Sequence, residues 1–479
     1  MILRPYQTQA IAELRKLAAA GKKKLLLVSP TGSGKTVTFC EVIRSAVAKG
    51  SRALVLAHRR ELITQASAKL SAFGVPHGIV LAGQSAAPDE LVQVASVQTL
   101  VRRAGSVSGA EIIVVDEAHH TAARSYQQII DTFPGALVLG VTATPWRGDG
   151  KGLADLFPDF VLAASPRQLR DEGFLVPVGG WQYEAMDTAG ARVQGGDYKA
   201  SDLADLAADR KVVGDIVGEW KAHADGARTV VFACSVDHST AIVEAFRAAG
   251  VPAEHLDGDT PAEERDAILG RLRSGATPVV SNCMVLTEGW DCPEAEVCVL
   301  ARPTLSLALY LQMVGRVLRP APGKVAARIH DHANCLAAHG HPYADRDYSP
   351  CEDAKVNRKK AEGGKKARCC PNCKAVLPRW PCDFCGQAQP EQERIQEVEA
   401  ARRVAIGEDG RATAQKKETD QERAERWRRR FANDLGWQKA FVQRQVAKHG
   451  AAKASRVCFW FSGFTWRAPQ AWLEGGIFA

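Results

Sequence analysis

The stretch SPTGSGKT, Ser29 to Thr36, follows the apolar run LLLV and has the make-up of a phosphate-binding loop. Glycines at 32 and 34 let the backbone curl so that successive N–H groups point inward, and a helix start behind them adds positive potential. Lys35 can then reach the outer phosphates of a nucleotide, and the Thr36 hydroxyl can ligate Mg²⁺. The usual pattern wants glycine where this chain has Ser29, so the loop alone does not separate a nucleotide site from an ordinary turn. A partner stands 80 residues beyond Thr36: VVDEAHH, Val114 to His120, closes another apolar run. Asp116 at a strand tip can hold Mg²⁺ through water, and Glu117 can orient or deprotonate an attacking water. Loop and acids in this order point to ATP hydrolysis.

A second chemistry lies near the other end of the chain. CPNC at 370–373 and CDFC at 382–385 place Cys370, Cys373, Cys382 and Cys385 in two pairs eight residues apart. Each pair can put two thiolates on one tetrahedral Zn²⁺, and a metal-binding free energy of about 10 to 16 kcal/mol can order a segment too small to fold unaided. An iron–sulfur cluster is the rival, and Cys369 is a spare that could stand in for Cys370. From Lys355 to Arg379 there are nine Lys or Arg against one acid, Glu362, which reads either as a solvated linker or as a nucleic-acid contact. Arg379 and Trp380 favour the contact, since phosphates attract the one and bases stack on the other.

These groups need a scaffold. The runs KLLLV (24–28), ALVLA (53–57), LVQVAS (91–96), EIIVVD (111–116) and ALVLGVT (136–142) are strands buried on both faces, separated by amphipathic stretches that imply parallel crossovers. A looser passage with GG at 179 and 195 follows, and the pattern resumes with RTVVFAC (228–234), VPAEHLD (251–257), TPVVSN (277–282) and AEVCVLAR (295–302). The reading is two tandem doubly wound α/β domains, 1–165 and 205–345, joined by a connecting segment at 166–204. A basic linker (346–368), a zinc module (369–388) and a charged, helical, partly aromatic region (389–479) complete it.

Length and composition set the class. A chain of 479 residues is too long for one core and suggests about three domains. It is 46% hydrophobic and 24% charged, as soluble globular proteins are, with a net charge of +8. No apolar run approaches the roughly 18 residues needed to cross a bilayer, and the N-terminus lacks the features of a signal peptide, so a cytoplasmic location without membrane is expected. Thirteen scattered cysteines then read as reduced thiols.

PTGSGKT, DEAH and GVTATP (140–145) resemble motifs I, II and III of superfamily 2 helicases and translocases, in which the first loop position is often a small residue other than glycine. The resemblance implies RecA-like domains and extends through both. LRPYQ (3–7) is similar to the segment that reads adenine, implying Arg4 and Gln7 on the base; Thr31, Gly32, Ser33, Gly34, Lys35 and Thr36 would cradle the phosphates. LAHRREL (56–62) and SVQTL (96–100) resemble motifs Ia and Ib, implying His58, Arg59, Gln98 and Thr99 on the nucleic-acid backbone. VFACS (231–235) resembles motif IV and LTEGWDCP (286–293) motif V, implying Ser235 and Thr287 on nucleic acid and Gly289 and Asp291 on the ATP side. YLQMVGRVLRP (310–320) matches motif VI, implying Gln312, Arg316 and Arg319 in catalysis, the arginines reaching the γ-phosphate from the second domain. His119, Thr142 and Thr144 would couple the ATP site to the rest, whereas His120 has no matching role.

TATP, GRVLR and TEGWDCP differ from the DEAD and DEAH RNA helicases and look like the DNA-directed group with RadD, XPB and restriction translocases, RadD-like proteins being the nearest resemblance. Cysteine pairs after the motor are also found in RadD-like proteins. Iron–sulfur helicases carry theirs within the first domain, and here no cysteine lies between Cys40 and Cys234. The expected enzyme is a DNA-dependent ATPase and helicase or translocase, in DNA repair, recombination or phage DNA metabolism, with ATP, Mg²⁺ and structural Zn²⁺ and working as a monomer. A restriction-system motor and an RNA helicase are the alternatives, the first needing a nuclease for which no P-D-x(n)-[DE]-x-K pattern stands out in residues 340–479.

Overall fold

The computed structural model describes residues 3–350 and 369–388, apart from 85, 86, 88, 104, 184, 185, 208, 209, 345, 378–380 and 383. The basic run from 355 to 368, Arg379, Trp380 and the region 389–479 lie outside the described residues.

Two parallel sheets carry the described chain. The first uses β1 (Lys24–Val28), β2 (Ala53–Ala57), β3 (Gly78–Val80), β4 (Val92–Ser96), β5 (Ile112–Asp116), β6 (Leu137–Thr142) and β7 (Asp159–Leu162), in the order β3-β4-β2-β5-β6-β1-β7. The second uses β8 (Val178–Gln182), β11 (Thr229–Phe232), β12 (Ala253–Leu256), β13 (Val279–Asn282), β14 (Val297–Leu300) and β15 (Ala327–Asp331), in the order β12-β13-β11-β14-β15-β8. Between the sheets a short hairpin pairs β9 (Val193–Gln194) with β10 (Asp197–Tyr198).

Continuous apolar runs are needed because both faces are covered. Along β1, Leu25 and Leu27 enter one core while Leu26 and Val28 enter the other, and along β11 Val230 and Phe232 separate from Val231 in the same way. Each fully buried aliphatic side chain contributes roughly 1.5 to 3 kcal/mol of burial free energy. The parallel register brings the strand ends level: Val28 pairs with Thr142 and Asp116 with Val141, so three loops with polar residues open on one edge. Crevices at the carboxyl ends of parallel strands are where such folds bind ligands.

Two segments differ from the expected plan. The glycine-rich connecting segment contributes β8 to the edge of the second sheet. Its glycines serve close packing rather than a loop: a Cβ at Gly179 would lie 2.6 Å from Trp181 and 2.7 Å from Phe384, and one at Gly180 2.7 Å from Leu336. The start of the basic linker also packs back on the first sheet, where Tyr348 is buried, stacks on Trp146 at 5.7 Å and precedes a Pro350 carbonyl that accepts from Ala154 N–H.

Candidate active site

The loop after β1 is held by its own serines. Ser29 N–H donates to Thr142 O at 2.8 Å, tying the loop to β6. Ser33 Oγ donates to Pro30 O at 2.5 Å and accepts from Ser29 Oγ at 2.6 Å, with both serines fully buried. Ser29 therefore shapes the loop from within, which glycine could not do. Gly32 (φ 85) and Gly34 (φ 78) adopt left-handed backbone, and Gly34 starts the helix Lys35–Val47, whose N-terminus faces the loop. The N-terminal segment braces it from outside: Gln7 Nε2 donates to Ser33 O at 3.0 Å and Tyr6 OH to the same carbonyl at 2.6 Å. Arg4 lies over the Phe174 ring at 4.2 Å and donates to Tyr6 OH.

Asp116 ends β5 and is buried, and Glu117 follows at φ 52, a left-handed conformation that costs a non-glycine residue on the order of 1 kcal/mol or more. Two contacts compensate: Glu117 N–H donates to Asp116 Oδ1 at 2.9 Å, and Glu117 Oε1 accepts from Lys35 Nζ at 2.7 Å. Burial, with Glu117 beside it, pushes the Asp116 carboxyl up to about 7. Burial works the same way on Glu117, but Lys35 and His119 outweigh it and hold that carboxyl below its ordinary range. Asp116 is thus the acid that gains most from a cation, and Glu117 the one kept ready as a carboxylate, which fits Mg²⁺ on the first and water activation on the second. The residues expected to couple the site are in contact: His119 Nδ1 lies 3.4 Å from Thr142 Oγ1, which in turn donates to Thr144 O at 2.8 Å.

The second sheet supplies the opposite wall. A Cβ at Gly32 would lie 3.4 Å from Arg319 Cγ, and one at Gly315 would lie 2.6 Å from Thr31 Cβ, so the end of the helix Leu307–Gly315 and Arg319 beyond it rest on the phosphate loop. Arg319 pairs with Asp291, and buried Arg316 donates to Trp290 O at 2.7 Å. Burial, together with neighbouring Arg319, lowers the Arg316 guanidinium to about 10, which leaves it charged at neutral pH.

One residue that motif reading did not single out holds the two sheets together. Glu288 accepts from Gln312 Nε2 at 3.2 Å and lies 2.9 Å from His58 Nε2, 3.3 Å from Arg59 Nε, 3.4 Å from His119 Nε2 and 3.5 Å from His120 Nε2. Burial pushes its carboxyl up, but the histidines more than offset this and hold it well below the carboxylate range. Beside it Gln65 donates to Gly289 O at 2.6 Å and Arg265 to Glu61 at 2.7 Å. His58 and Arg59 therefore face the second sheet rather than an open groove.

The other expected nucleic-acid residues are separate. Exposed Gln98 accepts from Ser96, Thr99 is buried, Ser235 caps the helix Val236–Ala248, and buried Thr287 donates to Met284 O.

The cysteine module is compact. Cys370 Sγ lies 3.6 Å from Cys385 Sγ and Cys373 Sγ 3.7 Å from Cys382 Sγ, with all four sulfurs within 4.8 Å of one another. Four thiolates at about 2.3 Å from Zn²⁺ would stand about 3.8 Å apart, which these two separations match. The Gln387 backbone N–H draws the Cys385 thiol down to about 6, toward the ligating form. The module docks on the edge of the second sheet: Val376 N–H donates to Gly180 O at 2.7 Å, Trp181 Nε1 to Cys373 O at 3.0 Å, and the Trp181 and Phe384 rings meet at 5.0 Å. Among the described residues no helix is long and apolar enough to cross a membrane.

Known proteins match this arrangement. The family described as "Type III restriction enzyme, res subunit" matches residues 1–147, and "Helicase conserved C-terminal domain" matches residues 210–321. A 51.5 kDa protein of a Lactococcus phage is 32% identical over 78% of this chain and 80% of its own length. The ATP-dependent helicase IRC3 of Saccharomyces cerevisiae is 30% identical over 66% of this chain and 49% of its own length, so this chain spans about half of that relative. The DNA 3'-5' translocase XPB2 of Sulfurisphaera tokodaii is 23% identical over 66% of this chain and 78% of its own. In fold, a fragment of an HsdR subunit of a type I restriction enzyme from Vibrio vulnificus superposes with a TM-score of 0.57 at 22% identity, over 73% of this chain and 67% of that one.

Proposed function

We propose that this chain, which belongs to the superfamily 2 helicases related to XPB and to restriction-enzyme motors, is an ATP-driven DNA helicase or translocase. The observation that carries the reading is the split site: the phosphate loop and both acids belong to the first sheet, while Arg319 and Gly315 of the second lie against Gly32 and Thr31. Hydrolysis chemistry assembled across two bodies converts a change at the γ-phosphate into relative movement.

The roles follow from the geometry. Lys35 and the loop amides hold the outer phosphates, so Lys35 must share its Glu117 partner with them. Thr36 and Asp116 would hold Mg²⁺, which when bound shields phosphate charge. Glu117 takes a proton from the attacking water, and Arg316 and Arg319 stabilise charge on the transferred group, an effect typically worth roughly 10³ to 10⁵ in rate. His119, Thr142 and Thr144 link this centre to Glu288. The four cysteines would hold structural Zn²⁺ at the edge of the second sheet.

DNA as the track is supported by the XPB2 relative, whose description is a DNA translocase; the role we assign is DNA repair, recombination or phage DNA metabolism, and the last fits a relative that comes from a phage. A restriction motor is the second reading, favoured by the match over residues 1–147; it requires a nuclease on a partner or outside the described residues. The test is ATPase activity with single-stranded DNA, duplex, forks and RNA beside Glu117→Gln. Stimulation by DNA that disappears in the variant is expected; hydrolysis indifferent to every nucleic acid would overturn the motor reading, and stimulation by RNA alone would replace DNA as its track.

A further inference from the structure

The cluster around Glu288 has ligand chemistry that ATP hydrolysis does not use. His58 follows β2, His120 ends the short turn after β5, and Glu288 comes from the second-sheet side. Each offers one ligand atom, and the three atoms lie within 4.8 Å of one another. Glu288 Oε2 stands 2.9 Å from His58 Nε2, and its other oxygen, Oε1, 3.5 Å from His120 Nε2. Around a divalent ion with bonds of about 2.0 to 2.2 Å, neighbouring ligands stand roughly 3 to 3.5 Å apart, so both imidazole–carboxylate contacts are close to the spacing an ion requires. His120 Nε2 is shut off from solvent and has no hydrogen-bond partner, which leaves it available to a ligand, while His58 Nε2 already points at Glu288 Oε2. His119 Nε2, 3.4 Å from Glu288 Oε1, stands next to the set. Arg59 is partly exposed and shares Glu288 Oε2 at 3.3 Å, so it must turn outward when that oxygen takes a cation.

We propose that His58, His120 and Glu288 form a second metal site, for a divalent transition ion such as zinc, that clamps the two sheets together and stalls the motor when the ion is in excess. Two imidazoles and one carboxylate suit zinc, cobalt or nickel and not Mg²⁺, which keeps oxygen ligands. Two ligands belong to the first domain and one to the second, so the set is complete only while the domains stay together. An ion bound there favours that arrangement by its differential affinity for it. The clamp itself does not depend on the motor reading; the stalling does.

The experiment titrates full-length protein with Co²⁺ after zinc has been removed. Wild type should bind two equivalents: one with the thiolate charge-transfer bands of a cysteine site, and a second with ligand-field bands alone. His120→Asn and Glu288→Gln should each lose the second and keep the first, which also reports that they fold. Cys370→Ser should do the reverse. A single equivalent in wild type, or a second that survives in both His120→Asn and Glu288→Gln, overturns the site. Excess Zn²⁺ should also inhibit DNA-stimulated ATPase, with a midpoint about tenfold or more higher in His120→Asn, the loss typical when support for a metal ligand is removed. Equal inhibition of both proteins would overturn the stalling while leaving the binding result to stand, and wild type without DNA-stimulated ATPase would overturn the motor reading on which the stalling rests.

Discussion

The first sheet presents its half of the nucleotide cleft as a set of groups already paired with one another, whereas the second presents guanidinium groups parked on its own backbone and on Asp291. Lys35 and Glu117 meet at 2.7 Å, and Glu117 bonds back to Asp116, all within the first domain. Arg316 rests on Trp290 O and Arg319 on Asp291, within the second. On the proposed function this difference would divide the labour: the first half would bind and orient, and the second would add charge that acts only after it leaves a partner of its own. Arg319→Ala should therefore cut kcat by roughly 10³ or more while the nucleotide dissociation constant moves only a few-fold, and Lys35→Ala should weaken binding itself. Nucleotide titration beside steady-state ATPase reads both; equal loss of binding in the two variants would erase the division.

What was legible before the structure follows the same line. β1, β2, β5 and β6 announce themselves because strands buried on both faces must be apolar throughout, and the phosphate loop and acids sit at their ends. β8 hides because Gly179 and Gly180 read as a loop, while their real constraint is the approach of Trp181, Phe384 and Leu336 from distant parts of the chain. Glu288 hides for a similar reason. Its partners His58, Arg59, His119 and His120 lie far away in sequence, and the single local signal is a carboxylate among Leu286, Trp290 and Cys292, which needs buried partners. Motif spacing identifies residues that act on a common ligand; residues that act on each other across a fold leave little trace in one sequence.

Buried titratable groups sharpen the comparison at moderate cost. The second domain buries His238, His330 and His332, whose rings burial lowers to about 4, 3 and 4. A histidine with a depressed folded pKa contributes full stability above its unfolded value near 6.5, and that stability is lost as pH falls toward the folded value. The maximal slope is about 1.4 kcal/mol per pH unit for each ring. Asp331, raised to about 6 by burial, responds in the opposite sense but is one group against three. In the first sheet the strongly raised group is Asp116, near 7, so acid relieves strain there. Between pH 6.5 and 5, hydrogen exchange should speed up first in β14 and β15, and less so in His332→Gln. Earlier opening of β5 and β6 would mean that the acid-sensitive half has been misassigned.

The smallest expected effect concerns Ser29, the position at which the phosphate loop departs from the general pattern. Its backbone has no positive φ, so the conformation there does not require glycine. Its hydroxyl bonds to Ser33 Oγ inside the loop rather than facing the cleft, with the side chain wholly buried. Ser29→Ala removes a donor from a buried pair, a loss of about 1 kcal/mol, and Ser29→Gly adds the freedom of glycine, about 0.5 to 1 kcal/mol more. Both should raise KM for ATP by less than tenfold and leave kcat nearly unchanged, with Ser29→Gly the weaker binder although it restores the common pattern. If Ser29→Gly instead improves ATP affinity, or Ser29→Ala abolishes hydrolysis, the hydroxyl touches phosphate. The first-sheet half of the cleft would then not be self-contained in the sense that separates it from the second.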